Sequence, residues 1–127
     1  MDFLRSRQTC GIENRDEEAF MGRYIQVSTT VEKKEDADSI AKILVETRVA
    51  ACVQVIGPIR STYWWKGKVE EASEWLCVMK TREALYSDLE ASLKAVHPYE
   101  VPEIVAVPLT KGSEGYLRWI EEETKKG

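Results

Sequence analysis

The chain has 127 residues, 43% hydrophobic and 31% charged, enough apolar material for one core and too much for a disordered chain. Eighteen basic side chains against 22 acidic ones leave a net charge of −4, which excludes a nucleic-acid binder gathered by its overall field. No stretch approaches the roughly 20 apolar residues that span a bilayer, and Asp2, Arg5, Arg7, Arg15, Asp16, Glu17 and Glu18 leave no room for a secretory apolar run, so a soluble protein without membrane insertion is expected.

Residues 1–22 are charged, follow no clean period and end just after a second methionine, Met21. They read as a flexible N-terminal tail, with one domain over residues 23–127. Tyr24-Ile25-Gln26-Val27-Ser28-Thr29-Thr30 alternates and is β-branched, which predicts a strand. Ala37, Ile40, Ala41 and Leu44 then repeat at helical spacing behind an acidic start, Glu35 and Asp36. Residues 50–56 read as a buried strand that resumes over residues 59–65, with a bulge expected at Gly57-Pro58 because proline offers no ladder donor. Lys66-Gly67-Lys68 is a hairpin turn signal. Residues 69–81 return as a long strand, Trp75, Cys77 and Met79 on one face and Leu76 and Val78 on the other.

Thr81 is the expected cap of a second helix with Leu85, Leu89, Leu93 and Val96 as its inner stripe. His97-Pro98 ends that helix, since a residue before proline is pushed out of the helical region. Residues 104–109 form a short edge strand between Pro102 and Pro108, and Ser113 opens a last helix with Tyr116, Leu117 and Ile120 inward. The order β-α-β-β-α-β-α predicts an α+β fold of ferredoxin-like βαββαβ type with a C-terminal helix. Its β2-β3 hairpin would overhang its own sheet by roughly 15 Å at about 3.3 Å per residue. That overhang carries Tyr63, Trp64 and Trp65, an aromatic edge that needs cover. Another copy of the chain is the expected cover, in a closed homo-oligomer.

Three widely spaced cysteines, Cys10, Cys52 and Cys77, make neither a disulfide framework nor a zinc ribbon, and point to a reducing compartment. No Gly-rich phosphate loop or GxSxG elbow occurs, and one histidine cannot make HExxH, so no enzymatic activity is expected. One constellation is dense: His97-Pro98-Tyr99-Glu100-Val101-Pro102-Glu103. Imidazole and carboxylates suit a borderline divalent cation such as Cu(II) or Zn(II); equally, His97 can serve as a helix-end residue and Tyr99 as core. Cys52 starts the second strand, and the 11 residues from there to Tyr63 span about 35 Å when extended. A Cys52–His97 pair on one metal therefore requires two chains, and Cys77 reads as core.

Ala50-Ala51-Cys52-Val53, the run from Ser61 to Lys68, Met79-Lys80-Thr81 and the seven-residue cluster together strongly resemble the CutA divalent-cation tolerance proteins. The resemblance covers about residues 24–122. It implies a tight homotrimer of ferredoxin-like subunits with a cytoplasmic role in tolerance of copper and other divalent metals. It makes His97 and Cys52 candidate metal ligands, and Tyr63, Lys80, Tyr99 and Glu103 candidate lining of an intersubunit cleft. Tyr63, Trp64 and Trp65 become candidate trimer contacts. The ligand would be Cu(II) or another divalent cation, not permanently bound. Two other readings stay open: a trimeric small-molecule sensor resembling PII signalling proteins, and a structural or anchoring trimer without a ligand.

Overall fold

The computed structural model describes residues 23–126; the expected tail over residues 1–22, Cys10 with it, lies outside them. Among the described residues, four strands and three helices follow in the order β1 (Tyr24–Val31), α1 (Lys34–Glu46), β2 (Cys52–Trp65), β3 (Lys68–Arg82), α2 (Tyr86–Val96), β4 (Val105–Pro108) and α3 (Glu114–Glu123), with a 3-10 turn at Glu83–Leu85 before α2. The strands form one antiparallel sheet in the order β2-β3-β1-β4. The β-branched alternation that predicted β1 buries Ile25, Val27 and Val31 against Cys77 and Met79 of β3 and against α1 and α2. Ala37, Ile40 and Leu44 supply α1's buried stripe, and Leu89 and Leu93 that of α2. A second, smaller cluster joins Leu117 and Ile120 of α3 to Tyr24 and Ala51. Among the described residues no helix is long and apolar enough to cross a membrane.

Lys66 and Gly67 both take positive φ (50° and 81°), the two-residue turn whose twist suits a tight hairpin. The register slips between Ile56 and Ile59, so the bulge falls at the expected Gly57-Pro58. β1 reaches β3 only as far as the Val31–Trp75 rung. Seven residues of β3, Lys68 to Glu74, therefore pair with β2 alone, an overhang of about 23 Å and longer than expected. Trp64 on this arm is 74% exposed.

Four expectations need correction. Thr81 caps no helix: it lies within β3, buried, and its hydroxyl donates to the Val49 carbonyl at 2.6 Å. The extra rungs of β3 and the 3-10 turn displace the helix start to Tyr86, which has no side-chain cap. Tyr116 does not face inward; it is exposed, stacked on Trp119 at 5.5 Å. Val96 is exposed as well, because the helix ends there and the chain turns away at His97 (φ −77°, ψ 134°). β2 begins at Cys52, so buried Ala50 and Ala51 lie before the strand.

Candidate functional site

Pro98 stops α2, and the cluster of residues 97–103 continues as a loop between α2 and β4. The imidazole of His97 reaches β1: Nε2 lies 3.0 Å from the Thr29 hydroxyl and 3.1 Å from the Thr30 carbonyl oxygen. The Tyr99 backbone N–H donates to Nδ1 at 3.1 Å. Nδ1 is thus an acceptor, so the neutral ring carries its proton on Nε2 and gives it to the Thr30 carbonyl. Burial lowers the histidine's pKa from its ordinary 6.5, against the opposing pull of the Thr30 carbonyl and the charges of Asp36 and Glu74.

Tyr99 stands beside the ring, its centroid 4.9 Å from that of His97, and its phenol donates to Glu74 Oε2 at 2.6 Å. Glu74 is the first residue of β3 beyond the end of β1, and Tyr99 closes that gap. The Glu74 side chain is nearly sealed, the residue 5% exposed. Burial, the bond to Glu74 and the charges of Glu74 and Glu32 push the Tyr99 phenol well above its usual range, with Tyr63 of the hairpin adding to the effect. The loop is therefore pinned at two points, to the end of β1 and to the base of the hairpin.

Cys52 occupies a different place. It pairs with Lys80 across β2 and β3, and its sulfur lies 3.6 Å from the Tyr116 hydroxyl of α3. Burial and that contact push the Tyr116 phenol up to about 12. Lys80 donates to Gln54 at 2.8 Å. One chain thus brings His97 and Tyr99 together at the base of the hairpin, while Tyr63 stands out on the arm opposite Glu70, four rungs beyond Glu74. Cys52 and Lys80 gather three to four rungs away, and Glu103 stays exposed. Among the described residues, no three His, Cys, Asp or Glu side chains converge to hold a metal.

Glu74 was not singled out from the sequence. Its signal was available: in Glu74-Trp75-Leu76-Cys77-Val78 the carboxylate stands in line with Leu76 and Val78 on one face of a strand. A lone acid on an apolar stripe requires a partner.

A long hairpin off a four-stranded antiparallel sheet, with a histidine loop clamped at its base, defines an α+β class of small sheet proteins. Residues 25–123 match the family described as CutA1 divalent ion tolerance protein, and the chain belongs to that family. It is 46% identical over 98 residues to the divalent-cation tolerance protein CutA of Thermus thermophilus, covering 77% of this chain and 95% of that protein. It is 40% identical over 102 residues to the chloroplastic protein CutA 1 of Oryza sativa, covering 80% of this chain and 58% of the relative, so the chain spans little more than half of that longer protein. The crystal structure of CutA1 from Oryza sativa superposes with a TM-score of 0.81 at 38% identity, covering 85% of this chain and 99% of that one. A chloroplastic relative shows that membership of the family does not by itself assign a compartment.

Proposed function

We propose that this chain is a non-catalytic, cytoplasmic divalent-cation-binding protein of metal tolerance, working as a homotrimer of ferredoxin-like subunits. It captures Cu(II) or a similar borderline cation at sites between subunits. The single observation that carries this reading is the division of candidate ligands within one chain: His97, with Tyr99, at the base of the hairpin, and Cys52, with Lys80, three to four rungs away. Neither group alone amounts to a metal site, since no three ligating side chains converge among the described residues. Joining the Cys52 end of one subunit to the His97 loop of the next brings an imidazole, a thiol and the exposed carboxylate of Glu103 within one cleft. That donor set suits Cu(II) or Zn(II) and disfavours Mg(II) or Ca(II), which prefer all-oxygen sites. The hairpin arm with Tyr63, Trp64 and Trp65 supplies the contact between copies, and the exposed Val105 and Val107 of edge strand β4 offer it a seat.

Calorimetric titration with Cu(II) tests the reading. His97→Ala is expected to lose the tightest site, at least a tenfold fall in affinity, and Cys52→Ala a smaller loss. Unchanged binding by His97→Ala would remove the imidazole from the site.

One observation favours a second reading. The Lys80 ammonium is held by the neutral Gln54 amide rather than a carboxylate, and an ammonium so placed suits an organic anion, as in a small-molecule sensor. A thermal-shift screen of anionic metabolites without metal distinguishes the two: a stabilising metabolite with no response to Cu(II) favours the sensor.

A further inference from the structure

Both ring nitrogens of His97 are spoken for. Nδ1 accepts the Tyr99 N–H, and Nε2 gives its proton to the Thr30 carbonyl with the Thr29 hydroxyl alongside. A cation that takes this imidazole must open one side. Entry at Nε2 moves the ring proton to Nδ1, which abolishes the contacts to Thr29 and Thr30 and sets two N–H groups against each other at Tyr99. Entry at Nδ1 displaces a single bond, the one from Tyr99, and keeps Nε2–H on a backbone carbonyl, the partner that commonly orients a ligating imidazole. Nδ1 is therefore the less costly entry. What covers it is a peptide whose side chain is tied at 2.6 Å to Glu74, a nearly sealed carboxylate at the base of the hairpin.

We propose that Glu74 is a positioning residue: through Tyr99 it closes the loop of residues 97–103 over Nδ1 of His97, so that cation capture must release a latch anchored in the hairpin. The capture half of this inference rests on the metal-binding reading above; the latch itself does not. Because the latch joins the loop to β3 at the point where the overhang begins, a bound cation would loosen the hairpin base, and a hairpin held by a neighbour would resist capture.

The chain holds a single histidine, so its imidazole nitrogens give one resolvable set of 15N signals. In the metal-free protein these are expected to show the Nε2–H tautomer. Glu74→Ala and Tyr99→Phe each remove the tie, and their signals are expected to move toward the average of the two tautomers. Glu74→Gln, whose amide oxygen can still accept from the phenol, is expected to keep the wild-type signals. Zn(II), which is diamagnetic, should bind the two unlatched variants about three- to tenfold tighter than wild type, the worth of one net hydrogen bond, and bind Glu74→Gln as wild type does. Wild-type imidazole signals in both unlatched variants would overturn the latch. Averaged signals with Zn(II) affinity no higher than wild type would overturn its coupling to capture. If wild type binds neither Zn(II) nor Cu(II), the metal reading fails, and the imidazole signals alone decide for or against the latch.

Discussion

The thiol of Cys77 sits mid-strand in β3, fully buried in the main core, and burial, reinforced by the charge of Asp38, pushes its pKa from 9.0 up to about 11. The thiolate, not the thiol, reacts with disulfide reagents. Cys52 lies half-buried at the start of β2, within reach of solvent. In a Cys10→Ala background at pH 8, dithionitrobenzoate is therefore expected to label Cys52 promptly and Cys77 only after urea is added. Equal, rapid labelling of both would show an open core. The same shift has a consequence for stability. A group whose folded pKa is raised contributes stability that is fully present below its unfolded value and is lost as the pH rises through the folded one. For Cys77 that window runs from 9.0 to about 11, and the raised phenols of Tyr24, Tyr86, Tyr99 and Tyr116 act in the same sense. The urea midpoint is thus expected to fall steadily above pH 9.

Among the elements, the β2-β3 hairpin decides most of the molecule's character, and Gly57 decides its bend. A Cβ at that position would stand 2.6 Å from Cε3 and 2.9 Å from Cδ2 of the Trp75 indole, and 3.2 Å from the Glu74 carbonyl oxygen. Glycine lets the bulged strand come down onto the ring and the neighbouring backbone; any side chain forces them apart. Gly57→Ala is expected to cost about 1–3 kcal/mol, the range for overpacking a close contact, in chemical denaturation. A loss below a few tenths of a kcal/mol would show that the indole swings away freely. This bend, the turn at Lys66-Gly67 and the end of α2 at His97 were all legible in the sequence, because proline and glycine act on the backbone within a residue or two. The Thr81 signal misled for the converse reason. Thr-Arg-Glu looks like a helix start locally, but β1 extends β3 to the Tyr24–Arg82 rung, and the Thr81 hydroxyl finds the Val49 carbonyl 32 residues away. Tyr116 misled in a related way: its position fits the stripe of α3, yet the smaller cluster beneath that helix is filled by Leu117 and Ile120. The His97 cluster was visible as a dense run of polar types. Its clamp on Thr29, Thr30 and Glu74 was not, since those partners are 68, 67 and, from Tyr99, 25 residues distant and are brought together only by the sheet.

At the scale of the whole molecule, one chain leaves two kinds of surface uncovered: the aromatic overhang of the hairpin and the valine-bearing edge strand β4. It also divides its candidate ligands between two places on the sheet. In the proposed homotrimer a second and third copy would meet both conditions together, covering the arm and completing the clefts, and closed symmetry would leave no arm free. The metal reading, the cleft and the coupling of the latch to neighbouring subunits all depend on this assembly. Sedimentation equilibrium at micromolar concentration tests it most directly. The account predicts a single species of about 43 kDa, three times the 14.5 kDa chain, that persists on dilution. A stable 14.5 kDa species at the same concentrations would contradict it.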